Sequence, residues 1–100
     1  MRGVTDPSEA KRNLRRAIEA GELTLGQAVR QMRQITGMNQ KDYARNIVGI
    51  SPRILSEIEK DKGNPTIETL NKVGRPFGYC VAFMPKNRRG TLNLERPDTS

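Results

Sequence analysis

Arg53, Ser56, Glu57 and Lys60 fall on one side of any helix that turns Leu55 and Ile58 inward, because a 3.6-residue period puts them on the opposite arc. Their side chains suit the edges of nucleic-acid bases. The Arg53 guanidinium can donate two hydrogen bonds to guanine O6 and N7, and the Glu57 carboxylate can accept from cytosine N4. The hydroxyls of Ser51 and Ser56 can contact either kind of group. The plainer alternative is that Arg53 and Glu57, four residues apart, pair with each other on the surface for about 0.3–0.5 kcal/mol. Catalytic chemistry is poorly provided for. The 100 residues contain no His, which removes imidazole bases, His-dependent triads and His-ligated metals. A single Cys, Cys80, can form neither an internal disulfide nor a thiolate cage, so a reducing compartment is expected. No metal, no cofactor and no enzymatic activity are expected.

These side chains need a scaffold, and the chain supplies short helices. Asn39 caps a segment that turns Tyr43, Ala44 and Ile47 inward, Val48-Gly49-Ile50 makes a tight connector, and Ser51-Pro52 restarts a helix with a cap and a first-turn proline. Two short helices joined by a glycine-containing turn suit a helix-turn-helix, whose second helix lies in the major groove while the first crosses the backbone. Before this unit, Asp6-Pro7-Ser8-Glu9 opens a helix carrying Ala10, Leu14, Ala17 and Ile18, stopped near Gly21. Thr24-Leu25-Gly26-Gln27 opens another with a stripe of Leu25, Ala28, Val29, Met32 and Ile35, closed by Gly37. After it, residues 60–65 read as a loop, and Thr66 caps a helix facing Ile67, Leu70 and Val73 inward. Tyr79-Cys80-Val81-Ala82-Phe83-Met84, stopped by Pro85, reads as a strand through Tyr79, Val81 and Phe83. One strand lacks a partner for its backbone groups, and the simplest partner is the same strand of a second copy.

Composition agrees with a small helical domain. Only 34% of residues are hydrophobic and 4% aromatic, so the core must be built from Leu, Ile, Val, Met and Ala. No apolar run approaches the roughly 20 residues of a membrane span and no signal-peptide core follows Met1, so a cytoplasmic protein is expected. The net charge of +7 favours an anionic partner, nucleic acid first. The charge is concentrated. Residues 24–78 carry nine basic and five acidic groups, against five and four in residues 1–23.

Asn39-Gln40-Lys41-Asp42-Tyr43-Ala44, Gly49-Ile50-Ser51, Leu55-Ser56-Glu57-Ile58-Glu59 and Asn64-Pro65-Thr66-Ile67-Glu68-Thr69-Leu70 resemble, in order, the Cro/lambda-repressor-type (XRE) helix-turn-helix family. The resemblance covers about residues 24–78. Gly78 followed by an apolar strand and Pro85-Lys86 looks most like the HipB-type antitoxins within it. The implied fold is mainly α: a lambda-repressor-like bundle (24–78), an extra N-terminal helix (1–23), a C-terminal strand (79–85) pairing across a homodimer, and a flexible basic tail (86–100). The implied function is a repressor bound to a palindromic double-stranded DNA operator, paired with a HipA-type kinase toxin. A phage or restriction-system regulator without a toxin, or a protein-protein adaptor that does not read DNA, are the alternatives.

The resemblance also implies roles. Ser51, Arg53, Ser56 and Glu57 sit where the family reads bases. Asn39 and Gln40, at the start of the first motif helix, and Lys60, Lys62 and Asn64, in the following loop, meet phosphates. Arg33 and Glu59 form a structural pair tying the first family helix to the recognition helix. The chain departs from the pattern at three places. Between Ala44 and Ser51 it is one residue longer, with Val48 the apparent insertion and a shifted recognition register the expected consequence. Lys60-Asp61 stands where Asn-Gly is usual, and Pro76 should end the last helix near Gly74.

Overall fold

The computed structural model describes residues 7–85. Five α-helices follow one another: α1 (Pro7–Glu19), α2 (Leu25–Thr36), α3 (Gln40–Asp42), α4 (Pro52–Glu59) and α5 (Ile67–Gly74). A π-helical turn, Tyr43–Val48, continues α3, and a 3-10 turn, Arg75–Phe77, continues α5. The expected Asp6 cap and the tail from residue 86 lie outside the described residues.

The polar residues that flagged helix starts make the bonds expected of them. Thr24 accepts from the Gln27 N–H through Oγ1 while Gln27 Oε1 accepts from the Thr24 N–H, a complete capping box on α2. Asn39, Ser51 and Thr66 accept from the backbone N–H groups of Asp42, Ile54 and Thr69. At the far ends, Gly37 closes α2 in the left-handed conformation (φ 78°), and Pro76 confines α5 to residues before a 3-10 turn.

Val29, Tyr43, Ala44, Val48, Leu55, Ile58 and Val73 form the core, with Met38, Ile50 and Leu70 packed at its edge. Three expected core positions are corrected, and the first is Ile67, which is 66% exposed at the first position of α5 while Leu70 and Val73 carry that helix's packing. Ile47 is exposed and Val48 is buried in its place. A π-helical segment spaces inward positions five residues apart rather than four, so Val48 follows Tyr43 into the core and Ile47 is turned out. Leu25 is also exposed, because the first turn of α2 meets α4 through Gly26 rather than through a large side chain.

Helix α1 packs along α2 with Leu14 fully buried, and Lys11 Nζ lies 5.7 Å from the centre of the Phe77 ring. The first helix therefore meets both α2 and the 3-10 turn that follows α5. Its remaining basic residues face solvent, with Arg15 bonded to Glu19 and Arg16 to Asn13. The strand expected over residues 79–85 is not formed in the single chain, where these residues are neither helix nor strand. The segment leaves the bundle through two backbone ties: the Tyr79 N–H donates to Gly74 O at 3.0 Å, and the Val81 N–H donates to Asn71 Oδ1 at 2.8 Å.

Candidate nucleic-acid interface

Helix α4 carries the predicted base-reading residues and is anchored by its inner face, where Leu55, Ile58 and Glu59 are buried. The opposite arc holds Arg53, Ser56, Glu57 and Lys60. Arg53 points into solvent with its side chain 86% exposed, and Glu57 beside it is 43% exposed, their charged groups 3.5 Å apart. An ion pair this open holds neither partner firmly, so both remain available to a ligand. Ser56 is half-buried, and Ser51 spends one lone pair of Oγ on its own helix cap.

The buried end of α4 is held by a four-residue network. Arg33, from α2, donates through Nε to Glu59 Oε2 at 2.7 Å, and through its NH2 group to Glu59 Oε1 at 3.0 Å. Its other terminal nitrogen donates to Met38 O at 3.0 Å, and Gln40 Nε2 donates to Glu59 Oε1 at 2.9 Å. Burial pushes the Glu59 carboxyl up, but the bonds from Arg33 and Gln40, with the charges of Arg33 and Arg30, outweigh it and hold the group below the ordinary glutamate range. The same bond raises Arg33, against the opposing effect of its partial burial. One carboxylate thus joins α2, the start of α3 and the end of α4. Gln40 is oriented by this bond at the first position of α3, and its second amide hydrogen is not used by Glu59.

The loop after α4 bears Lys60, Lys62 and Asn64, all exposed. It is shaped by a closure that sequence reading missed. The Asp61 N–H donates to Ile58 O at 2.9 Å and the Lys62 N–H to Glu57 O at 2.8 Å, with Asp61 at φ 59°. This closure ordinarily places glycine at the left-handed position. Asp61 uses its side chain instead, Oδ2 accepting from Thr24 Oγ1 and Oδ1 from the Gly26 N–H, each at 2.7 Å. The signal in the sequence was the Lys60-Asp61 departure itself. Between loop and helix, Ile54, Glu57, Ile58, Lys62, Asn64 and Thr69 help line a shallow groove of about 290 Å³, which places Glu57 between Arg53 and the loop. Asn39 lies exposed at the start of α3, with Oδ1 occupied by the Asp42 N–H.

Before Ser51 the chain forms a π-helical turn, where the resemblance leads one to expect a longer connection. The Gly49 N–H donates to Ala44 O at 2.7 Å, five residues back, and Gly49 (φ 85°) reverses the chain into Ile50 and the Ser51 cap. Residues 26–80 match a family model described as a helix-turn-helix domain. The chain belongs to this helix-turn-helix family. No curated protein and no solved structure matches it. The matched span begins in the first turn of α2 and ends just beyond Gly78, so α1 lies outside it. A helix-turn-helix domain is a DNA-binding module rather than an enzyme fold, and α4 is the second helix of the motif, after the turn at Gly49. Among the described residues no cluster of His, Cys, Asp or Glu could hold a metal, and no helix is long and apolar enough to cross a membrane.

Proposed function

We propose that the protein is a sequence-specific transcriptional repressor that acts as a homodimer on a palindromic operator. The observation that carries this reading is the open arc of α4, with Arg53 almost wholly in solvent at the start of a helix whose other face is locked into the bundle. Two such helices enter successive major grooves about 34 Å apart and exclude polymerase. Arg53, Glu57, Ser51 and Ser56 read bases. Gln40, with Asn39, and Lys60, Lys62 and Asn64 contact phosphates and supply the salt-sensitive share of affinity. The apolar segment from Tyr79, with Val81, Phe83 and Met84 exposed in the single chain, pairs with its copy and sets the spacing of the two recognition helices.

The finer reading, an antitoxin that binds a HipA-type kinase toxin and autoregulates its operon, rests on the likeness of Gly78, the apolar segment and Pro85-Lys86 to HipB-type antitoxins. A neighbouring kinase reading frame whose product co-purifies with the protein supports it, and a protein that purifies from its own cells without a kinase removes it.

The experiment for the main reading is selection from a random-sequence duplex library, then fluorescence anisotropy on the selected and a shuffled duplex. Specific binding is expected to be tighter by roughly a thousandfold or more. Arg53→Ala should cost about 1–3 kcal/mol of that preference while leaving the melting temperature unchanged. Equal binding to both duplexes points to the adaptor that does not read DNA.

A further inference from the structure

Asp61 is the one non-glycine residue with a left-handed backbone among the described residues. Glycine would adopt that conformation without strain, so the carboxylate needs its own explanation. Both of its oxygens are engaged by the start of α2: Thr24 Oγ1 donates to one and the Gly26 N–H to the other. Gly26 makes the approach possible, since a Cβ there would stand 2.5 Å from Ile58 O and 2.8 Å from Asp61 Oδ1. The positive end of α2 therefore meets the negative end of α4, with the Asp61 carboxylate between them. Lys60 and Lys62, the residues on either side, carry two of the proposed phosphate contacts.

We propose that Asp61 is a positioning residue for DNA recognition: it clamps the end of the recognition helix to α2 and thereby fixes where Lys60 and Lys62 stand. The inference rests on the repressor reading. It makes a prediction opposite to simple electrostatics. A negative charge beside phosphates repels them, so removing a merely superficial Asp61 should tighten DNA binding. Removing a clamp should loosen it, because two lysines lose their fixed positions.

Asp61→Gly and Asp61→Asn separate these cases. Gly suits the left-handed position and should leave the helix closure and the melting temperature near wild type. Asn tolerates that backbone and keeps an oxygen for the Gly26 N–H. Each protein is titrated by anisotropy against the duplex that wild type selects from the random library, at several salt concentrations, and its Gly26 amide exchange is followed by NMR. For Asp61→Gly, faster Gly26 exchange, affinity lower by about tenfold and a log–log salt slope shallower by about 1–2 are expected, the slope marking loss of one or two phosphate contacts. Asp61→Asn should recover part of both. Unchanged or tighter binding by Asp61→Gly, or unchanged Gly26 exchange, overturns the clamp. A wild-type protein that selects no duplex overturns the repressor reading itself, and the positioning role with it, whatever the variants do.

Discussion

Glu59→Gln tests the tie that holds the recognition helix. The carboxylate, 3% exposed, accepts two bonds from Arg33 and one from Gln40, and Arg33 is itself 15% exposed. Glutamine fills the same volume but places an amide N–H₂ where one carboxylate oxygen stood, donor against donor. Removing one partner of a buried ion pair costs about 3–5 kcal/mol. Arg33 keeps its bond to Met38 O and some contact with water, which brings the expected loss to about 2–3 kcal/mol. In a domain of this size each kcal/mol lowers the melting temperature by about 4–8 °C, so a fall of about 10–20 °C is expected by circular dichroism at pH 7. The joint replacement Arg33→Met with Glu59→Leu removes both charges and should melt close to wild type. The pH dependence has a definite sign. Because the folded-state carboxyl lies below its ordinary value of 4.5, its contribution is fully present above that value and is lost as pH falls through the depressed one. The gap between wild type and Glu59→Gln should therefore close as the solution is acidified below the ordinary glutamate range. A variant that melts within about 3 °C of wild type at pH 7 refutes the assignment of the tie.

Three other perturbations follow from the same geometry. Gly26→Ala raises helix propensity by about 1 kcal/mol yet sets a methyl group 2.5 Å from the Ile58 carbonyl, so a net loss of about 1–3 kcal/mol is expected in thermal melting; a higher melting temperature would show that α2 and α4 do not meet so closely. Val48, the apparent insertion by resemblance, is a core residue and Ile47 the exposed one, so deleting Ile47 moves Val48 to four residues after Tyr43 and cooperative melting should persist within about 1 kcal/mol of wild type; a non-cooperative melt contradicts this. Val81→Pro removes the donor that bonds Asn71 and any ladder bond at that residue, so dimerisation and operator binding should weaken together. A stable dimer by light scattering would take the segment out of that role.

Much of the helical frame is legible in the sequence because caps are local chemistry. Thr24, Asn39, Ser51 and Thr66 each declare a helix start within three residues, and Pro76 declares a stop. The Arg33–Glu59 contact spans 26 residues and could be expected only from family resemblance, since no spacing rule links two charges so far apart. What escaped was non-local or non-standard in geometry. The Asp61 carboxylate finds its partners at Thr24 and Gly26, 37 and 35 residues away, so the local pattern around it reads only as a polar loop. Helical periodicity places Ile47 inward because it assumes a constant pitch, and the π-helical turn Tyr43–Val48 breaks that assumption.

The five-residue step between Tyr43 and Val48 bears on the proposed mode of DNA reading. Inside an α-helix, one added residue rotates everything after it by about 100°. Placed in the turn, it would lengthen the reversal between the two motif helices. The π-helical turn avoids both outcomes. Tyr43 and Val48 stay inward across a five-residue step, Ala44 O receives the N–H groups of both Gly49 and Ile50, and Gly49 reverses the chain where the short turn needs it. Ser51 then caps α4, and Leu55, Ile58 and Glu59 hold that helix from within. Arg53 is left on the open arc of that helix. The widening is local to the first motif helix, whose own proposed DNA contacts, Asn39 and Gln40, lie before it. The five-residue step thus lies between the start of α3 and the start of α4, the two places where the proposed phosphate and base contacts stand.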